Sequence, residues 1–412
     1  MKYWGIWICC FTVLGAALAE APVPIFNRSK AVLGMTIRNR YAYVAVMNAS
    51  LNDGRFGARD FRVLPQTRPD GRETLDPYES MFRYMLRPEV LVTVPGRRGP
   101  RTVESEKGWS MEALPDGSVG MRLASGEDGS LLVTELKFSL SPEMSVLDGV
   151  CKLTNRMDRE CTVHFKPVFY ALIPELKPMR LILPHRINLF TIAGNETYWR
   201  NEETLLNNDA SHYWWRTENN GRISSEKALN TESIRFDDTR VLAPSNFGVG
   251  GLSGGNLVVW EWGETEKPAA LEFRWLRDMG CAAPVWTRTF APGQTSEIHF
   301  RLLMVRGAPR YDNIGKNWIF AYLPLGNMLR VLSLPLNHEE RVSLNVSLTD
   351  PRGTNLINNR REMAGATPLT PGRMNYRLAA PFVSGERYRI QLQMDSLKDS
   401  TRLLEVFGTV QP

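Results

Sequence analysis

The stretch from Asn195 to Ser233 holds the densest set of residues that could do chemistry. It is polar, poor in Val and Ile, and carries Tyr198, Trp199, His212, Tyr213, Trp214 and Trp215, with Arg216 and Glu218 beside them. Flat aromatic rings stack on sugar faces, and neighbouring Arg, His and Glu side chains fix hydroxyls, so the set suits carbohydrate recognition. The competing reading is packing, with the Trp side chains plugging the end of a sandwich. A long irregular excursion from a β scaffold is also where binding sites concentrate. His164 is a second candidate. Around it Cys161, Val163, Phe165 and Phe169 fall on one face, and Thr162, His164, Lys166 and Tyr170 on the other. That period of two marks a half-buried strand. His164 therefore points away from the apolar face, either into a binding surface or into solvent. His185, His299 and His338 stand isolated and receive no role.

Other chemistries lack their residues. Gly248-Val249-Gly250-Gly251-Leu252-Ser253-Gly254-Gly255 has neither the glycine spacing nor the following helix of a phosphate loop, and reads as a turn before the strand Leu257–Trp262. A Ser-centred hydrolase elbow is absent. No Cys-x-x-Cys or Cys/His pair has ligand spacing, so no metal and no cofactor is expected. The net charge of +6 is mild for 412 residues. Basic spots at Arg97-Arg98-Gly99-Pro100-Arg101 and Arg360-Arg361 sit in no nucleic-acid motif, so no nucleic-acid partner is expected.

The elements that must position these residues begin after a secretory signal at 1–19. Lys2 is its positive region, Tyr3 to Leu18 its apolar core, and Ala17-Leu18-Ala19 its cleavage site. The apolar run is shorter than the roughly 20 residues of a spanning helix. No later stretch is long and apolar enough to span a bilayer, so the expected address is secreted or periplasmic. Cleavage leaves 49 basic and 44 acidic residues, a net +5, and three cysteines, Cys151, Cys161 and Cys281. The polar break Thr154-Asn155-Arg156-Met157-Asp158 predicts an antiparallel hairpin from Val146 to Leu172. If Leu153 pairs with Arg159, Cys151 lies opposite Cys161, and the two are either bridged or two buried thiols on one core face.

Short strands and turns dominate elsewhere. Ala31–Ile37 and Tyr41–Met47 form a hairpin about Asn39-Arg40. One short helix is expected, opened by Asp76-Pro77, carrying Tyr78, Met81, Phe82 and Met85, and closed by Pro88. The sum is an all-β chain: a large antiparallel sandwich at 25–306, a linker at 307–321, and a small β-sandwich at 322–412. The last has the Gly-x-x-Tyr of immunoglobulin-like modules in Gly385-Glu386-Arg387-Tyr388.

Leu153-Thr154-Asn155, a turn, and a strand ending in Phe165, Phe169 and Tyr170 resembles the galactose mutarotase-like supersandwich superfamily. So does Leu271-Glu272-Phe273, followed by Pro284 and by Ala291-Pro292-Gly293-Gln294 before the strand to Leu302. The resemblance covers Ala31–Val305 and implies a supersandwich. The superfamily includes sugar epimerases, domains of polysaccharide lyases and glycoside hydrolases, and domains with no known catalysis. In the epimerase branch a carboxylate is base at the anomeric hydroxyl and a His is acid at the ring oxygen. The resemblance puts Glu272 at the base; its structural alternative is a solvated strand acid. At the acid the chain departs, with Lys166-Pro167-Val168-Phe169 where the branch has its His. His164 lies two residues earlier, on the same strand face and shifted by about 6–7 Å.

The leading expectation is a carbohydrate-binding accessory protein in glycan utilisation, with an oligo- or polysaccharide as partner. A second is an epimerase- or lyase-type enzyme with Glu272 as base and His164 or His212 as acid. A third is a structural envelope protein.

Overall fold

The computed structural model describes residues 21–26, 29–30, 32–48, 57–63, 84–96, 101–102, 110–125, 132–172, 179–182, 187–193, 196–197, 203–206, 210–219, 222–229, 233–235, 246–251, 256–276, 279–307, 311–315, 317–337, 341–363, 366, 368 and 370–410. The signal at 1–19 and the candidates Tyr198 and Trp199 lie outside them. The described chain is β throughout apart from one 3-10 turn at Glu264–Glu266, as the alternating patterns predict.

Two large antiparallel sheets share a core. Sheet A runs in the order Val23–Phe26, Val32–Arg38, Ala42–Met47, Gly57–Val63, Tyr84–Thr93, Cys161–Leu172, Met279–Phe290, Ala270–Leu276 and Ser233–Arg235, with Arg101–Thr102 beside Tyr84–Thr93. Sheet B runs Glu203–Leu206, Met179–Ile182, Asn246–Gly251, Asn256–Glu261, Thr295–Arg306, Val146–Asn155, Leu132–Leu140, Val119–Ser125 and Ser110–Ala113. The inner faces follow from period two. Leu147, Cys151 and Leu153 face inward from sheet B, and Cys161, Val163 and Phe165 from sheet A. At the centre the rings of Phe165, Trp286 and Phe300 pack with centroids 6.1 to 6.3 Å apart. Each such buried ring stabilises the fold by about 1.5–3 kcal/mol.

The hairpin expected at Val146–Leu172 does not form. Val146–Asn155 pairs with Leu132–Leu140 and Thr295–Arg306, whereas Cys161–Leu172 pairs with Tyr84–Thr93 and Met279–Phe290. The polar break is a corner that carries the chain from one sheet to the other, and fully buried Asn155 fixes it. Its Nδ2 donates to the carbonyls of Arg159 at 2.9 Å, Phe290 at 3.2 Å and Ala291 at 3.2 Å, and its Oδ1 accepts from the Met157 N–H at 3.0 Å. The backbone of Asn155 also exchanges hydrogen bonds with Gly293 and Gln294. Thr-Asn and Ala-Pro-Gly-Gln, far apart in sequence, are thus two halves of one knot. Gly293 turns there with φ of +74°, a conformation open to glycine.

The same corner accounts for the cysteines. Cys151 and Cys161 are free and buried. Asn155 touches Phe290, the ladder partner of Cys161, and Cys151 lies four residues back from Asn155 on its strand. The two cysteines stand on opposite sheets of the same core cluster as two separate thiols. Burial pushes the Cys151 thiol well above its usual pKa, and burial with the Glu160 charge raises that of Cys161.

A second, smaller sandwich follows. Sheet D runs Asn313–Gly315, Trp318–Leu325, Met328–Pro335 and Gly372–Arg377; sheet E runs Asn355–Met363, Val342–Thr349, Tyr388–Ser396 and Arg402–Val410. Between them lie Phe320, Tyr322, Leu344, Val346, Ile390 and Leu392. Its strands start at Asn313, inside the stretch expected to be linker. Gly315 is a strand residue whose missing side chain makes room for Leu404. The two sandwiches share a further core, in which Val146, Val259, Leu303 and Val305 meet Ile319, Leu332 and Leu334. The central strands of sheet B are therefore buried on both faces.

Two local expectations fail for related reasons. Most of the expected helix lies outside the described residues, but Met85 and Pro88 at its end belong to the strand Tyr84–Thr93, where Pro88 sits opposite Pro167. Gly248 to Gly251, expected as a turn, lie in the strand Asn246–Gly251, and a Cβ on Gly248 would meet the Tyr311 ring at 2.5 Å. In both places a residue type that usually interrupts structure serves close packing of a sheet.

Candidate functional site

The face of sheet A turned away from the core carries the polar residues of its central strands. In Cys161–Leu172 these are Thr162, His164 and Lys166, set by the alternation that sends Cys161, Val163 and Phe165 inward. His164 is half-buried, and its Nδ1 lies 3.0 Å from the Thr287 hydroxyl on the neighbouring strand. Thr162 meets Thr289 in the same way at 3.3 Å. One row along, Lys166 stands directly opposite Glu89; the next row sets Val168 opposite Arg87. Lys166 is only 9% exposed. A lysine so buried is retained only with partners for its charge, and Lys166, Glu89, Arg87 and His164 each take part in a polar, ionic or ring interaction.

The sheet is interrupted at this point. Cys161–Leu172 pairs with Met279–Phe290 from Cys161↔Phe290 to Phe165↔Trp286, and pairing resumes only at Phe169↔Ala282. Pro167 falls in the gap and has no N–H to give the ladder. The departure from the epimerase pattern, Lys166-Pro167, is therefore a break in the ladder with a nearly buried cation beside it. The sequence alone singles out neither Glu89 nor Arg87 and gives Lys166 no role. The available signal was a lysine embedded in an otherwise apolar run, Phe165-Lys166-Pro167-Val168-Phe169.

Glu272 occupies the same sheet. Its Cα pairs with Ala283 and with Ser233, whereas His164 pairs with Thr287. The two candidates thus stand two strands apart with a four-residue offset along Met279–Phe290. On a sheet of ordinary dimensions that is roughly 16 Å between Cα atoms. The register does not bring them to either side of one sugar ring.

His212, Tyr213, Trp214, Trp215, Arg216 and Glu218 lie in the strand Ala210–Asn219, not in an irregular excursion. That strand belongs to sheet C, ordered Glu196–Thr197, Ile187–Ala193, Ala210–Asn219 and Arg222–Leu229. Trp214 pairs with Phe190 and Lys227, and Trp215 with Leu189 and Glu226. Aromatic residues and Thr suit strands even among polar neighbours.

A groove of about 430 Å³ lies on sheet B, lined by residues that include Leu114, Arg122, Glu135, Lys137, Lys152 and Glu297. Its charges neutralise one another: Glu135 pairs with Arg122 at 3.6 Å and with Lys152 at 3.9 Å. Lys137 reaches Asp116 at 2.5 Å, and this bond with that of Ser118 holds the Asp116 carboxyl down at about 2. Exposed pairs of this kind add little stability. Among the described residues no three His, Cys, Asp or Glu side chains gather as a metal site.

No family model and no curated protein matches this chain. Solved structures do. A galactose mutarotase-like protein from Lactobacillus casei is 9% identical, over 66% of this chain and 99% of its own, with a TM-score of 0.39. A GH36 α-galactosidase from Geobacillus stearothermophilus is 7% identical, over 70% of this chain and 41% of its own, with a TM-score of 0.38. A polysaccharide lyase is 10% identical, over 95% of this chain and 46% of its own, with a TM-score of 0.30.

Proposed function

We propose that this protein binds an oligo- or polysaccharide outside the cytoplasm, secreted or periplasmic, as an accessory protein of glycan use. The observation that carries the reading is the polar row on the outer face of sheet A, where nearly buried Lys166 faces Glu89 beside the His164–Thr287 contact. A sugar presents hydroxyls that both donate and accept, and a site for it needs fixed groups of both kinds. Lys166 donates, Glu89 accepts, and His164 with Thr287 does either. The Tyr and Trp residues within Ala210–Asn219 are of the type that stacks on sugar rings. The extracellular address rests on Lys2, the apolar run to Leu18 and the small residues at Ala17 and Ala19.

Binding is favoured over epimerase or lyase chemistry by the register offset between His164 and Glu272, since an acid–base pair acts across one ring within hydrogen-bond reach. The test is an oligosaccharide titration followed by Trp fluorescence. A saturable shift with at least one glycan is expected, weakened in the Trp214→Ala/Trp215→Ala double variant. No response across a broad panel of neutral and acidic glycans refutes the reading.

A further inference from the structure

The outer face of sheet E has an unusual composition for a solvated sheet. On the strand Val342–Thr349 every outward residue is a hydroxyl or an amide: Ser343, Asn345, Ser347 and Thr349. One register row crosses all four strands as Asn358, Ser347, Gln391 and Phe407. It holds no charge and ends in an aromatic ring that is 66% exposed. The next row, Arg360, Asn345, Gln393 and Glu405, is charged only at its two edges.

The polar groups of this face are held in place. Gln391 and Gln393 both donate to one Glu405 oxygen, at 2.5 and 3.0 Å, and Asn345 donates to Gln393 at 3.4 Å. The Phe407 carbonyl accepts from Asn313 of sheet D at 3.0 Å, which fixes the edge strand under the ring. Ordinary soluble edges carry charge, because a bare apolar edge invites pairing with other chains. Here the edge strand keeps its charge at Arg402 and Glu405, which pair at 3.8 Å, and adds an exposed phenyl ring beside pre-oriented amides.

We infer that this face is a second glycan-binding surface, one that takes an extended neutral polysaccharide laid across the strands of sheet E. The row spans three strand spacings, roughly 14 Å, the length of a short run of sugar rings. Phe407 offers a stacking platform, and the uncharged amides and hydroxyls match sugar hydroxyls without the desolvation cost of a charge. The absence of charge along the row favours a neutral polymer over a uronate or sulfated one. The inference goes beyond the reading of sheet A, and the two stand or fall separately.

Affinity electrophoresis of the whole chain, in gels containing a soluble β-glucan, a mannan, a xyloglucan or polygalacturonate, tests it. Retardation by at least one neutral polysaccharide is expected, with weak or no retardation by polygalacturonate. Phe407→Ala and Gln391→Ala should each reduce it about tenfold or more, equivalent to about 1.4 kcal/mol, while Phe407→Tyr retains it. The Trp214→Ala/Trp215→Ala variant should keep this retardation. If glycan is bound but Phe407→Ala and Gln391→Ala leave it unchanged while the Trp pair abolishes it, the inference is overturned and the sheet A reading stands. A change in oligomeric state on Phe407→Ala without any glycan retardation also overturns it, in favour of self-association. Should Phe407→Ala fail to fold, Gln391→Ala and Phe407→Tyr still decide the matter.

Discussion

Replacing Asn155 with Ala should strongly destabilise the large sandwich. The side chain is fully buried and engages three carbonyls and one N–H. An amide nitrogen has two hydrogens, so the three acceptors share two donors, and about three effective hydrogen bonds are lost. Each is worth about 1 kcal/mol net, and the buried Met157 N–H is left behind unpaired at a further cost of about 1–3 kcal/mol. The expected loss is therefore about 4–6 kcal/mol, a large share of the about 5–15 kcal/mol that holds a typical domain together. Urea unfolding followed by Trp fluorescence measures it. Trp260, Trp262 and Trp286 report on the large sandwich and Trp318 on the small one, so transitions are fitted separately if they part. Asn155→Asp keeps the acceptor but places a carboxylate against carbonyl oxygens, and should be at least as damaging. A loss below about 1 kcal/mol in the Ala variant, no more than one ordinary hydrogen bond, refutes the idea that this residue ties the corner.

Three further outcomes follow from the same geometry. Gly149→Ala puts a methyl group onto the Phe300 ring and should cost about 1–3 kcal/mol in the same unfolding assay, as overpacking does. Asp116→Asn should lower stability at neutral pH but not at strong acid. The folded pKa of Asp116 is depressed to about 2 from 3.8, so its contribution is present above 3.8 and lost as pH falls through about 2; because the pair is over half exposed on the Asp side the difference is small. In a Cys281→Ser background, Cys151 and Cys161 should react with a thiol reagent only on unfolding, since both are buried with raised pKa; rapid reaction of the native protein, or none after unfolding without reductant, contradicts the free, buried thiols.

Face and fold class were legible in the sequence, and pairing partners were not. Period two around Cys161–Phe165 correctly separated the core residues from His164 and Lys166, because alternation is a property of the strand alone. The break at Thr154 to Asp158 looks the same whether it closes a hairpin or carries the chain between sheets. The choice is made by Phe290 and Ala291, more than a hundred residues away, whose carbonyls receive the Asn155 amide. The aromatic stretch around Trp214 failed differently: charged and amide neighbours masked the strand preference of Tyr, Trp and Thr. Gly248 and Pro88 misled because each was read as an interruption, when each sits inside a sheet whose packing needs a missing side chain or tolerates a missing N–H. Lys166 was noticed only as a departure from a pattern. Its importance needs its burial and its place opposite Glu89, which belong to the folded sheet.

The central claim, that the polar row on sheet A holds a sugar, is tested most directly by Lys166→Met. The substitution keeps the length and the apolar stem but removes the charge and its three donors. Fluorescence titration with the best glycan of the panel should show affinity reduced tenfold or more, the loss of one charge-assisted hydrogen bond at about 1.5–3 kcal/mol, with the unfolding transition of the large sandwich still cooperative. Unchanged affinity in a folded Lys166→Met variant would contradict the account.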